Sequence, residues 1–517
     1  MTLRNSILLL LAIPALTFVW GLHNEFVDWD DPGLITENPI AQGLTVENLK
    51  TAFTSYDPEL YVPLTFVSYQ VDYAIGGLSP FIYHFHNLLL HLINVLLVAW
   101  LIWLLTKNPV TALLCGLLFA VHPVNAETVL WASARKDLLS STWFFAAIIA
   151  WLYARDRRSL PLYIFSIIAC VLGLAAKVMV MTLPAVLLLI LWRDQRKITI
   201  KNIGWLMPFV ALSIAFGIIA LLGKQAFVAN ASIQETALLA GKAVMFLLLK
   251  FFVPIRLSVL YPYTDPITFG SWDLTVSLFG AILITIFAFV SVRRWNRDML
   301  FGWLWFLICL SPTFLLYRRG EHLGDFYFTS NRYFYAAGIG LMFPVSLLAA
   351  SWMKKATWRM PVIAISTGVI GIFAVMSGLQ SLVWENTQTL FENVLQFYPN
   401  SQIAHVTIGN HDQTLGDLEN AFAHYDAALK IRPTSLAYFN LGNALLTLNR
   451  ADEAIEANMR ALKLNPALAI AEVNLGVGYV KKKMFTEAAE AFRRALVLDP
   501  NSREAAFNLK AVEDHKP

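Results

Sequence analysis

Twelve apolar segments fill most of the first three quarters of this chain, near residues 7–22, 81–105, 109–121, 138–153, 160–176, 178–192, 203–222, 236–254, 274–292, 299–316, 334–352 and 360–383. A helix needs about 20 apolar residues to cross a bilayer, and a barrel strand only about 9–11. Backbone inside hydrocarbon must satisfy its own hydrogen bonds, so segments of this length have to be helices. The expected fold is therefore all-α and polytopic. Charged residues make up only 14% of the chain and hydrophobic ones 57%, whereas soluble proteins carry about 25% charged residues. The exception is 384–517, which is polar and ordinary in composition. Two bodies follow: a membrane domain over 1–383 and a second domain over 384–517. The first segment is taken as a retained span, since no small-x-small cleavage site follows it. Cys115, Cys170 and Cys309 all sit in apolar segments, far apart in sequence, which argues against a disulfide framework or a thiolate metal site. No basic tract suits nucleic acid.

Charge sets the orientation. Residues 23–80 hold nine acids (Glu25, Asp28, Asp30, Asp31, Glu37, Glu47, Asp57, Glu59 and Asp72) against one lysine, Lys50. Cytoplasmic loops are enriched in Lys and Arg, so this loop is placed outside, after a first span that Arg4 precedes. Lys107, the run 155–158 and the stretch from Arg193 to Lys197 then fall inside by alternation. Segment 236–254 breaks the pattern. If it crosses, the basic cluster at 293–297 and the pair Lys354 and Lys355 come out on the wrong side. It also carries Lys242 and Lys250, charges that are costly at bilayer depth. The reading is about eleven spans plus an in-plane helix, with the C-terminal domain outside. Twelve spans and a cytoplasmic tail are the alternative.

The C-terminal domain repeats. Gly409, Gly442 and Gly476 recur at spacings of 33 and 34 residues; Ala421, Ala454 and Ala488 follow twelve residues later, and Pro433, Pro466 and Pro500 twenty-four later. This is the tetratricopeptide pattern of paired helices, with a small residue where they touch and proline ending each unit. Residues 501–514 read as a capping helix. Such an array presents a concave face to peptides or proteins and does not itself carry catalysis.

Candidate chemistry gathers in the outer loops. Asp30 and Asp31 stand beside Pro32-Gly33, on a turn. A carboxylate there can serve as a general base or help hold a divalent cation; a solvated, capped loop is the structural alternative. His84, Asn87, His91 and Asn94 form one stripe of a helix. His84 and His91 are about 10 Å apart along the axis, too far for one metal, so an interhelical hydrogen-bond ladder is expected. His122, Glu127, Trp131, Arg135, Lys136 and Asp137 follow in one outer loop. Lys177 tips a hairpin, and Arg318, Arg319, His322 and Asn331-Arg332-Tyr333 lie in another outer loop. Cations on the same side as carboxylates suit a phosphate leaving group and an acceptor hydroxyl. The structural alternative is snorkelling side chains at an interface.

The stretches Val27-Asp28-Trp29-Asp30-Asp31 with Asn38, Tyr61-Val62-Pro63-Leu64-Thr65, Tyr83-His84 with Asn87 and His91, His122-Pro123 through Glu127 and Trp131 to Arg135-Lys136-Asp137, Ala176-Lys177 before Thr182-Leu183-Pro184, and Asn331-Arg332-Tyr333-Phe334-Tyr335 occur in order, with repeats after them. Together they resemble the O-mannosyltransferase family that joins a transmembrane GT-C glycosyltransferase domain to tetratricopeptide repeats, particularly its bacterial relatives. The resemblance implies inverting transfer of a sugar from a polyprenyl-phosphate carrier to an acceptor hydroxyl on a protein. The transfer would occur at the outer, periplasmic face of a bacterial inner membrane. It implies Asp30 or Asp31 as base or metal-linked residue. Arg135, Lys136, Lys177 and Arg332 would contact the lipid phosphate, with His84, His122, Glu127 and Tyr333 around the substrate. Two positions depart from the family. Val62 stands where arginine usually precedes the proline, and Val178 follows Lys177 where glutamate or proline is usual. A non-enzymatic membrane scaffold for an envelope complex is the competing expectation, and a lipid-carrier transporter ranks behind both.

Overall fold

The computed structural model describes residues 2–56, 60–194, 199, 203–223, 229–291, 297–316, 318–319 and 326–514. Asp57, Glu59, Lys197, His322 and residues 293–296 of the second basic cluster lie outside the described residues. The chain divides into two compact units, with the main boundary between Leu390 and Phe391, a few residues past the expected 383/384.

In the first unit every apolar segment is helical. In chain order the helices that frame the site are α1 (Leu3–Phe18), α2 (Val46–Thr54), α3 (Pro63–Gly76), α4 (Pro80–Thr106), α5 (Pro109–Val121), α6 (Ala126–Leu130), α7 (Arg135–Arg157), α8 (Leu160–Ala176) and α9 (Leu183–Arg193). Further helices run over Met207–Gly223, Ile233–Phe252, Trp272–Ser291, Arg297–Leu310, Ile339–Trp352 and Ala356–Val383. Two two-residue ladders are the strand pairs among the described residues. One joins Ala229 and Asn230 to Arg319 and Arg318.

Proline placement explains many of the boundaries. Pro63, Pro80 and Pro109 each occupy the first helical position, where the missing N–H costs nothing. Asn108 precedes Pro109 in extended backbone, and its side chain accepts from the N–H of Val110 at 3.0 Å and of Thr111 at 3.3 Å. The core joins α4, α5, α7, α8 and α9 to the helices at 297–310 and 339–352 through residues such as Val95, Phe119, Phe145, Leu187, Phe306 and Met342.

The chain is a multi-pass membrane protein. Among the described residues five helices are long and apolar enough to cross: Leu3–His23, Pro80–Thr106, Ala132–Arg157, Trp272–Ser291 and Ala356–Val383. Two bent pairs, Pro109–Val121 with Pro123–Leu130 and Asn331–Ala337 with Ile339–Trp352, raise that to as many as seven. Leu160–Ala176, Val178–Arg193 and Met207–Gly223 are shorter apolar helices. Hydropathy alone does not register where a helix tightens or stops, as at the 3₁₀ turn Val178–Thr182. The helix Ile233–Phe252, expected to lie in the membrane plane, has both of its lysines satisfied. Lys242 pairs with Asp273 at 2.9 Å, and Lys250 donates to the carbonyls of Ile255 and Arg256.

The second unit contains three helix pairs, Gln402–Leu415 with Leu418–Ile431, Ser435–Thr447 with Ala451–Leu464, and Ala469–Lys481 with Phe485–Leu498, then the helix Arg503–Asp514. The recurrent glycines sit where paired helices meet. A Cβ on Gly409, Gly442 or Gly476 would strike Tyr425, Asn458 or Phe492 respectively. The period of the sequence is therefore the period of one close contact, and only a residue without a side chain fits it.

Candidate active site

The two bent helix pairs face each other through charge. The first carries Glu127 and the second Arg332, and Arg332 Nη1 lies 3.0 Å from Glu127 Oε1. A break in the helix at His122 bends the first pair by 52°, and the second bends by 53° at Gly338. Polar side chains are thereby delivered from half-helices.

Beside this contact, the start of α7 supplies two more ion pairs. Lys136 Nζ lies 3.0 Å from Asp30 Oδ2, and Lys177 Nζ lies 2.5 Å from Asp137 Oδ1. The cations also rest on aromatic faces. Lys136 and Arg332 lie 5.6 and 5.0 Å from the Trp131 ring, and Lys177 and Arg332 lie 5.7 and 5.3 Å from Tyr333. Trp131 in turn stacks on Trp384 at 5.7 Å. Three acids and three bases thus share one neighbourhood around two aromatic platforms.

The adjacent carboxylates Asp30 and Asp31 have opposite environments. The Asp30 side chain is 35% exposed, and Asp31 is only 1% exposed. Asp31 Oδ2 accepts from the Val27 N–H at 2.9 Å; Oδ1 accepts from the Ser133 N–H at 3.0 Å and from the Ser133 hydroxyl. Asp31 therefore pins the first outer loop to the turn before α7. Burial would raise Asp30, but the nearby charges of Lys136, Arg332 and Lys177 outweigh it and hold Asp30 below the usual carboxylate range. Burial pushes Asp31 up to about 6, against the pull of its Ser133 and Val27 hydrogen bonds and with help from the Asp30 charge. Lys177 falls to about 8, chiefly through burial, although Asp137 opposes the fall.

The expected metal pairing of Asp30 with Asp31 does not fit these contacts. One carboxylate is committed to an ammonium, and the other spends both oxygens on N–H and O–H donors. Among the described residues no group of three or more His, Cys, Asp or Glu could hold a metal ion.

Arg135, His122 and His84, expected around the substrate, are instead turned into the protein. Arg135 is 2% exposed. It donates to Asn87 Oδ1 at 2.5 Å, to Asp72 Oδ2 at 2.7 Å and to the Tyr83 carbonyl at 2.8 Å. Its neighbour Lys136 points the other way because consecutive helical residues project about 100° apart. His122 bridges the Phe251 carbonyl at 3.1 Å and caps the Val124 N–H. His84 is 3% exposed, on the stripe of α4 that holds the expected ladder. In that ladder Asn87 donates to the Trp131 carbonyl at 2.8 Å, His91 bridges the Tyr335 hydroxyl and the Ala120 carbonyl, and Asn94 donates to the Leu138 carbonyl.

A narrow cleft of about 450 Å³, partly open, runs from this charge cluster along Asp137, Ser140, Ser141, Thr182, Arg332 and Tyr333. Asp137, which the sequence offers without a role at the end of the Arg135-Lys136-Asp137 run, joins the cluster through Lys177. Its Oδ2 is buried without a hydrogen-bond partner.

A tetratricopeptide repeat family matches residues 435–468. The chain is similar to Protein O-mannosyl-transferase TMTC3 of Homo sapiens, 24% identical over 464 residues that cover 79% of this chain and 48% of the human protein. It is 23% identical to TMTC3 of Mus musculus with the same coverage. The chain thus spans about half the length of these curated relatives. Among solved structures, the Arabidopsis OM64 TPR domain aligns with 22% of this chain and 96% of its own, at 24% identity and a TM-score of 0.22.

Proposed function

We propose that this protein is a membrane glycosyltransferase that moves a sugar from a polyprenyl-phosphate carrier to a hydroxyl of a protein acceptor, at the outer, periplasmic face of a bacterial inner membrane. The observation that carries the reading is the grouping of Lys136, Lys177 and Arg332 around one accessible carboxylate, Asp30. The similarity to protein O-mannosyl-transferases supports sugar transfer to protein and favours mannose.

Asp30 takes the proton of the acceptor hydroxyl. The oxygen attacks the anomeric carbon from the face opposite the phosphate, so the configuration inverts. The bond from that carbon to the phosphate oxygen breaks, and the electron pair leaves with the lipid phosphate. Lys136, Lys177 and Arg332 offset the charge that develops there. As the phosphate arrives it competes for Lys136, which loosens the Asp30 ion pair and frees the carboxylate to accept a proton. Asp31, Arg135, His84 and His122 position the elements that carry these groups. Tyr333 and Trp131 hold the cations, and Glu127 orients Arg332. The repeat domain presents the acceptor.

The test is transfer by the purified chain in detergent, with a panel of polyprenyl-phosphate sugars and a peptide acceptor, with and without a chelator. Transfer from one lipid-linked sugar that is insensitive to chelation supports the reading. Absence of transfer from the whole panel, together with full function of Asp30→Asn in cells, favours the scaffold instead.

A further inference from the structure

The opposite end of α7 carries a second recess that the transfer reaction does not use. It lies between the C-terminal ends of α4 and α7, about 490 Å³ including its open mouth, with Leu104, Leu105, Leu152 and Tyr153 as an apolar wall, Lys107, Arg155 and Arg157 at the rim, and Asp156 and Asp194 also in the lining. On α7 (Arg135–Arg157) the recess residues 152–157 follow Lys136 by 16–21 positions, so at 1.5 Å per residue the recess is about 24–32 Å along the helix from the Lys136 cluster. That matches the ~30 Å thickness of a bilayer's hydrocarbon core.

The rim cations are not equivalent. Arg155 is neutralised by Asp156 at 2.9 Å and Asp194 at 2.8 Å. Lys107 and Arg157 make no ion pair among the described residues. They lie against rings of their own helices, Trp103 at 4.7 Å and Tyr153 at 4.8 Å. Capping of helix carbonyls does not occupy them, since the Leu105 carbonyl at the end of α4 is taken by Arg193 at 2.9 Å. Both helices stop abruptly, at left-handed Lys107 and Arg158, each with φ 53°. Two uncompensated cations therefore sit at the mouth of a pocket whose wall is hydrocarbon.

We infer that this recess binds the phosphate of an anionic phospholipid headgroup, with the acyl chain along Leu104, Leu105 and Leu152. The shared chemistry is a phosphate monoanion. The apolar wall favours a lipid over free phosphate, and basic pockets between membrane helices take such headgroups. The site is independent of the sugar-transfer reading, because none of its residues belongs to the Asp30 cluster.

Native mass spectrometry of the full chain in neutral detergent tests it, with short-chain phosphatidylglycerol, short-chain phosphatidylcholine and inorganic phosphate as separate probes. Phosphatidylglycerol is expected to be retained at least about tenfold over phosphatidylcholine, with free phosphate failing to displace it at equal concentration. The double variant Lys107→Gln/Arg157→Gln loses that preference. Equal retention of both lipids, displacement by phosphate alone, or an unchanged preference in the double variant overturns the inference. If the double variant does not purify folded, Arg157→Gln alone decides the matter, since its side chain lies at the surface, and a preference that it leaves intact overturns the inference equally.

Discussion

Lys136 Nζ and Asp30 Oδ2 lie 3.0 Å apart, while Asp31, the next residue, is turned away into the Ser133 backbone and the Val27 turn. In the proposed reaction the two adjacent acids divide the labour between chemistry and architecture. Asp30→Asn is expected to lower initial transfer rates by about 10²–10⁴-fold, the usual range for loss of a general base, with the melting temperature in detergent unchanged. Asp31→Asn keeps the shape and part of the hydrogen bonding, so it is expected to retain more activity and to lose thermal stability. Equal rate losses with unchanged melting in both variants would sink this division.

Lys177 sets an alkaline limit. Its folded value is about 8, below the ordinary lysine value of 10.5. Below pH 8 it is an ammonium that can offset a leaving phosphate, and above pH 8 it is neutral. kcat/KM, which reports the free enzyme, is expected to fall as pH rises through about 8. Lys177→Arg keeps the charge at every accessible pH, so the alkaline limb should disappear even if the maximum rate is lower. A wild-type profile flat to pH 10 removes Lys177 from the charge-stabilising set.

Much of the site was legible because charge inside an apolar chain is rare. Lys136, Lys177, Arg332 and Glu127 stood out against the spans and do converge. The sequence could not tell which way each side chain turns. Lys136 and Arg135 are neighbours, yet one pairs with Asp30 and the other with Asp72. Asp72 passed as one acid among nine in the outer loop, whereas it is the buried partner that holds Arg135. The repeats were readable to the residue, since Gly409, Gly442 and Gly476 report a contact that recurs with the chain's own period.

Arg135 and Asp72 form a buried pair, each side chain 2% exposed. Breaking such a pair from one side costs about 3–5 kcal/mol, and without Arg135 the Asp72 carboxylate keeps only His86 Nδ1, at 2.5 Å. Arg135→Met is therefore expected to lower the melting temperature sharply. It should also lower activity, because the guanidinium holds Asn87 and Asn87 holds the Trp131 carbonyl. Replacing both partners, Arg135→Met with Asp72→Leu, removes the stranded charge. Thermal unfolding of the double variant should recover part of the stability without restoring full activity. Additive losses in the cycle would mean that the pair does not act as a unit.

Gly476 tests whether the repeat domain depends on its close helix contact. A side chain there would meet the Phe492 ring, which is fully buried against Val473, Ala488 and Ala489. Phe492 cannot swing outward without opening that core, so Gly476→Leu is expected to cost about 1–3 kcal/mol by overpacking. The loss should appear as earlier proteolytic cleavage within residues 469–514, read by mass spectrometry of the full chain. A compensating Phe492→Ala in the same chain vacates the space and should restore part of the protection. If, as proposed, the first unit holds the reacting groups and the repeats present the acceptor, transfer to a small-molecule acceptor should be unaffected by Gly476→Leu while transfer to a protein acceptor falls. Parallel loss with both acceptors would show that the repeats support the catalytic unit itself.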